Sequence, residues 1–201
     1  MPKYVDPEQR SREIVNAALT ALSEGGFAKF TLRNLAERMG GSMSLITHYF
    51  PNREALIAGL LTSVEYDIAQ FNDELHSVED PVARLHQVVE WALPLTEEGL
   101  VTERARIALL AHRDAEPAID AFFARLEPIM RTLYREHVAP LVADEDLELA
   151  VDLMRASISG ITLSAIEHPE IWDRERQLRA VDRFIAMLPL REPVPLVPRA
   201  G

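Results

Sequence analysis

The 201-residue chain is 48% hydrophobic with a formal net charge of -11, enough apolar material for one domain or two small ones, and its acidic part argues against nonspecific polyanion binding there. It contains no cysteine, which excludes disulfides, thiolate metal sites and thiol nucleophiles. The opening residues MPKYVDPEQRS hold no apolar run of the signal-peptide kind, and no uncharged apolar stretch approaches the length of a membrane span; the expectation is a soluble, cytoplasmic protein with no membrane partner.

The charge is unevenly placed. Residues 1–60 hold seven basic side chains (Lys3, Arg10, Arg12, Lys29, Arg33, Arg38, Arg53) against six acidic ones (Asp6, Glu8, Glu13, Glu24, Glu37, Glu54), a net of +1, so the remainder carries -12. An acidic body with a near-neutral head leaves room for a local anion-facing surface on the head alone.

Helical periodicity runs through the chain without a convincing strand, which predicts an all-α fold. Asp6-Pro7-Glu8-Gln9 reads as a capped helix start, followed by Ile14, Ala17, Ala18, Ala21 and Leu22 on one face and ended by Gly25-Gly26. Thr31 caps a second helix of about two turns, whose stripe is Leu32, Leu35, Ala36 and Met39, with Gly40-Gly41 as its exit. Ser42 caps a short third helix that stops at Phe50, because Pro51 disfavours helical geometry in the residue before it. Asn52 caps a long fourth helix from about Arg53 to Phe71 or slightly beyond. Further starts at Asp80-Pro81, Thr96 with Glu97 and Glu98, Glu116-Pro117, Asp144 to Asp146, and near Ile171 bring the total to about nine. The stretch PLREPVPLVPRAG, residues 189–201, is proline-rich and predicts an extended or mobile tail.

On a helical wheel the third helix sends Ile46 and Phe50 one way and Ser44, Thr47 and His48 the other. Two short helices joined by a glycine turn, over an earlier helix, match a helix-turn-helix whose second helix enters a major groove. By spacing alone, an ordinary solvated surface is the favoured reading of this polar face.

Ile14-Val15, Ala17-Ala18-Leu19, Gly26-Phe27, Thr31, Leu35-Ala36, Gly40, Ser42, Phe50, Arg53-Glu54 and Leu56 together resemble the DNA-binding head of the TetR family of bacterial regulators over residues 10 to 60. The resemblance implies a head at 1–52, a ligand-binding and dimerising body at 53–188, and DNA contacts from Thr31, Arg33, Ser42, Met43, Ser44, Thr47, His48, Tyr49 and Arg53. There are departures. Thr47 stands where the family usually has tyrosine, Tyr49 where histidine is frequent, Gly41 where a small apolar residue is usual, and Arg53 where lysine is common.

In the body, helix number and order fit the same family. Leu178, Val181, Ile185 and Leu188 repeat at spacings of 3, 4 and 3, and the preceding helix alternates large residues such as Ile158 and Ile161 with small ones. Packing within the chain and packing between copies both suit such a seam; the resemblance favours a two-fold, four-helix dimer interface. Candidate pocket residues are Tyr66, Phe71, Trp91, Ile107, Phe122, Met130, Tyr134 and Met154, with His86 and His112 as polar contacts, although ordinary core packing is the favoured reading of each.

The expected function is a one-component transcriptional regulator, a repressor released by a small-molecule inducer, that binds a palindromic double-stranded operator as a homodimer. No enzyme activity, cofactor or metal is expected. A di-iron bundle needs paired Glu-x-x-His motifs, and the nearest approach is Asp73-x-x-His76; HExxH, a nucleophile elbow and a phosphate-binding glycine loop are also missing. The alternatives are a helical interaction module that has lost DNA binding and, further off, a helical-bundle enzyme.

Overall fold

The structure, a computed structural model, describes residues 6–192. Among them are nine α-helices: α1 (Pro7–Lys29), α2 (Leu32–Arg38), α3 (Met43–Tyr49), α4 (Arg53–Leu75), α5 (Pro81–Trp91), α6 (Glu97–Leu110), α7 (Pro117–Val138), α8 (Leu147–Glu167) and α9 (Arg174–Met187). Short 3-10 turns at Ala139–Leu141 and Asp144–Asp146 join α7 to α8. The all-α expectation of about nine helices holds, and no strand is found among the described residues.

Local chemistry explains most helix starts. The Asp6, Thr31, Ser42, Asp80 and Asp173 side chains each accept an amide hydrogen from the first turn that follows. Asn52 does the same for Ala55 at 2.7 Å. The expected start of α9 near Ile171 lies early, because Ile171 and Trp172 donate their amides to the His168 carbonyl in a turn and Asp173 is the cap. The expected stop of α1 at Gly25-Gly26 is a break within it: Gly26 has φ 61° and ψ -163°, and the backbone resumes helical geometry to Lys29.

The described residues form two compact units, 6–67 with 101–126 and 68–100 with 127–192, whose boundaries fall inside α4, inside α7 and between residues 100 and 101 of α6. In the first unit, α2 packs on both α1 and α3. Its core holds Ile14, Val15, Ala18, Leu22, Phe30, Leu35, Ile46, Leu56 and Leu60, all buried. Gly59 sits against Phe50: a β-carbon there would lie 2.4 Å from the Phe50 ring, so the glycine is what lets α4 close over the end of α3.

In the second unit α5 and α8 pack on α9, around Leu85, Val88, Leu133, Tyr134, Val151, Met154, Val181 and Ile185. Leu190 forms an antiparallel bridge with Val142, and the Arg191 amide donates to the Leu141 carbonyl at 2.8 Å. The remainder of the expected tail, from residue 193, lies outside the described residues.

Asp152 and Arg155 interrupt the apolar residues of α8, so it holds no long uncharged run. With its lead-in, Asp144–Glu167, it is the one described helix long and apolar enough by length and composition to cross a membrane, at a mean hydropathy of 1.4 over its most apolar window. Ala150, Val151, Met154, Ile158, Ile161 and Ala165 are buried on one side, while Leu149, Leu153 and Leu163 are exposed on another.

His137 of α7 is buried, and its Nε2 lies 2.7 Å from the Asn72 side-chain oxygen. Because the Asn72 amide group donates to Glu136, that oxygen accepts, which makes Nε2 the protonated nitrogen. Burial lowers the His137 pKa below 6.5; Glu136 opposes the shift, and Arg84 and His76 add to it. The unfolded chain therefore takes up this proton before the folded one does. Stability should fall as pH drops below about 6.5 toward the lowered value. Chemical denaturation at a series of pH values should show a shallower acid slope for His137→Gln than for wild type; equal slopes would remove His137 from the account.

Candidate nucleic-acid interface

The α2–turn–α3 segment presents the polar face predicted for it. Thr31 accepts the Asn34 amide at 3.2 Å, and the turn reverses through Gly40, whose φ of 60° a side chain would strain. Ser42 Oγ accepts the Leu45 amide at 3.3 Å and lies 2.7 Å from Ser44 Oγ. Ile46 is fully buried and Phe50 nearly so, which fixes the rotation of α3 about its axis. Ser44 and His48 are then exposed, as is Met43, while Thr47 and Tyr49 are partly exposed.

This face is mostly uncharged. Thr47 donates its hydroxyl hydrogen to the Met43 carbonyl at 3.0 Å, so toward an outside partner its oxygen serves as an acceptor. His48 and Tyr49 meet edge to face with centroids 5.1 Å apart. Arg33 is the cation of α2 most open to solvent, 84% exposed, and its pairing with Glu37 at 3.1 Å is an i,i+4 surface contact of about 0.3–0.5 kcal/mol. A phosphate would displace such a partner easily.

Arg53 is placed differently from the rest. Its guanidinium pairs with Glu116 and lies 4.5 Å from the centroid of the Phe27 ring. No spacing in the sequence connects residues 53, 27 and 116.

The other predicted residues separate by unit. In the first, Tyr66 is exposed with the Arg12 guanidinium over its ring, His112 stacks on Phe27 at 4.3 Å, Phe122 is buried beside Phe123, and Ile107 is partly buried. In the second, Phe71 stacks on Trp91 at 4.8 Å, His86 Nδ1 lies 3.6 Å from the buried Asp182 carboxylate, Tyr134 and Met154 are buried in the core, and Met130 is partly buried. A cleft of about 270 Å³ in the second unit has Leu95, Leu100, Trp172 and Gln177 among its lining residues and none of the predicted pocket residues.

All six residues expected at the dimer seam, Ile158, Ile161, Leu178, Val181, Ile185 and Leu188, are at most 8% exposed within the single chain. They hold α8 and α9 in their own protomer. What α8 leaves in solvent is another row: Leu149, Leu153, Ala156, Gly160 and Leu163, at spacings of 4, 3, 4 and 3. That spacing was readable beforehand, but only burial tells the two rows apart.

Two short helices joined by a glycine turn, with a buried anchor and an outward polar face on the second, define a helix-turn-helix DNA-binding protein. Residues 14–60 match the profile described as bacterial regulatory proteins of the tetR family, and residues 81–189, more than half of the chain, match the BetI-type transcriptional repressor C-terminal domain. The chain belongs to the TetR family of transcriptional regulators and is a DNA-binding regulator rather than an enzyme. It is 25% identical to the HTH-type transcriptional regulator PksA of Bacillus subtilis (strain 168) over 190 residues, covering 92% of each chain. With the HTH-type transcriptional regulator BetI of Yersinia pestis (strain Pestoides F) it shares 24% over 195 residues, covering 92% of this chain and 95% of that one. Its fold matches a transcriptional regulator from Saccharomonospora viridis solved in complex with choline, with a TM-score of 0.75 at 16% identity, covering 92% of this chain and 100% of that one.

Proposed function

We propose that the protein is a cytoplasmic repressor that binds a palindromic operator as a homodimer and leaves it when a small molecule binds the body. The observation that carries this reading is the outward face of α3, where Ser44, Thr47, His48 and Tyr49 offer hydrogen-bonding groups while Ile46 and Phe50 are buried. Residues 1–52 act as the reading head and 53–188 as the sensing and pairing body. Thr31, Arg33, Ser42 and Met43 frame the contact, with Arg33 on a phosphate.

The exposed row on α8 supports pairing. Leu149, Leu153 and Leu163 are 53%, 38% and 45% exposed, and Ala156 and Gly160 between them allow close approach of a second helix. A helix apolar on its buried side and along this row needs a partner outside its own chain. Met187 of α9 is also exposed, at 80%. A two-fold pair of chains would carry two heads, suited to half-sites about 34–36 Å apart. The choline complex of the Saccharomonospora viridis regulator supports small-molecule control in this fold.

In salt titrations of operator binding, Arg33→Ala should reduce the slope of log K against log salt by about one unit; an unchanged slope removes Arg33 from the phosphate contacts. Leu149→Glu combined with Leu163→Glu should sediment as a monomer with unchanged helix content where wild type is a dimer. A variant that still pairs excludes this face. Ligand and operator should weaken each other by the same factor in equilibrium titrations, since coupling between sites is reciprocal, and finding independent affinities would contradict release by ligand.

A further inference from the structure

The pairing of Arg53 joins three parts of the first unit. Gly26, with φ 61°, breaks α1 and brings Phe27 out of the helical path. The Phe27 ring takes the Arg53 guanidinium at 4.5 Å and the His112 ring at 4.3 Å with an interplanar angle of 25°. Arg53 Nη2 donates to Glu116 Oε1 at 2.5 Å. Glu116 is itself fixed: its amide and that of Ala115 donate to the His112 carbonyl, and its carbonyl accepts the amides of Ile119 and Asp120 at the start of α7. His112 Nδ1 lies 3.0 Å from the Ala108 carbonyl, which ties its ring to α6. One guanidinium thus holds the end of α1, the first residue of α4 and the α6–α7 turn together.

Its location gives this contact leverage over α3. Only Phe50, Pro51 and Asn52 separate the last residue of α3 from Arg53, and Phe50 is buried against Gly59 of α4. Pro51 restricts the backbone and Asn52 caps α4, so the first turn of α4 fixes where α3 ends. A guanidinium bonded to a carboxylate is electrically neutral as a pair and offers little net charge to a phosphate. To reach DNA, Arg53 would have to leave both Glu116 and the Phe27 ring. Its planar, delocalised cation suits the combination of ring face and carboxylate edge better than an ammonium does.

We propose that Arg53 is a positioning residue: it acts through Glu116 and Phe27 to set the seating of the reading helix, and it does not contact the operator phosphates. This rests on the DNA-reading function proposed above. The two assignments of Arg53 make opposite predictions for Glu116. If Arg53 positions α3, removing either partner loosens the same junction. If Arg53 contacts phosphate, Glu116 is a competing anion whose removal helps binding.

The test measures operator affinity over a range of salt for wild type, Arg53→Ala, Arg53→Lys, Glu116→Gln and the Arg53→Ala/Glu116→Gln double variant, each corrected for its DNA-binding-competent fraction by stoichiometric titration. Both single losses should weaken binding about tenfold with the salt slope unchanged. The double variant should bind no worse than Arg53→Ala, because the two residues act as one unit, and Arg53→Lys should fail to restore wild-type affinity. A slope lower by about one unit for Arg53→Ala, or Glu116→Gln binding as tightly as wild type or tighter, would overturn the proposal. Should wild type itself bind no operator, the functional reading fails, and the clamp is judged on the free protein. There, amide exchange at residues 27–31 and 112–116 should accelerate in both Arg53→Ala and Glu116→Gln, and unchanged exchange in either variant would overturn it.

Discussion

Seven residues are too few for a helix to persist in water, since isolated helices need roughly 12–15 residues even to be marginal, so α3 exists only because Ile46 and Phe50 are buried in the core of the first unit. That burial settles more than stability. With those two side chains held inward, helical geometry leaves the direction of Ser44, Thr47 and His48 no freedom. The rest of the first unit serves this anchor: α2 packs on α3 and is backed by α1, Gly40 supplies the turn, and Gly59 supplies the clearance that lets Phe50 close against α4. α3 has few interactions of its own, and its placement is borrowed from its neighbours.

The second unit meets a different constraint. Its helix α8 must pack within its own chain and also presents an apolar row to solvent, which is why its composition resembles that of a membrane span although it packs against α9 in a folded core. Apolar area left in water is unfavourable by roughly 25 cal/mol per Å², and in the homodimer proposed above a second copy of the same row would cover it. The strongly negative charge outside residues 1–60 would disfavour DNA lying against that part of the chain, which agrees with the proposed contact through α2 and α3.

Features governed by local chemistry were legible in the sequence. Asp6, Thr31, Ser42, Asn52 and Asp80 cap helices by bonds to amides two or three residues on, and the rotation of α3 follows from the period of the helix. Features that depend on distant partners were not. Glu116 stands 63 residues from Arg53, and no spacing rule joins them. The 3-4-3 row in α9 is real, but periodicity reports only that a face is apolar; burial shows that Leu178, Val181 and Ile185 face their own chain and that Leu149, Leu153 and Leu163 on α8 do not. The pocket list shows the same limit. Phe71 and Trp91 meet, whereas Tyr134 and Met154 are core residues like any others. At Ile171 even a local rule misjudged the start, because the His168 carbonyl closes a turn there before Asp173 opens α9.

The central claim is that the outward face of α3 reads base sequence. Its most direct test is to sequence the genomic fragments retained by the purified protein at moderate salt, alongside the Ser44→Ala/Thr47→Ala/His48→Ala variant, which alters the face and leaves Ile46 and Phe50 in place. The account predicts that wild type enriches a palindromic motif and that the variant, equally folded, loses it. The same motif enriched equally by both proteins, or no motif enriched by ligand-free wild type, would contradict it.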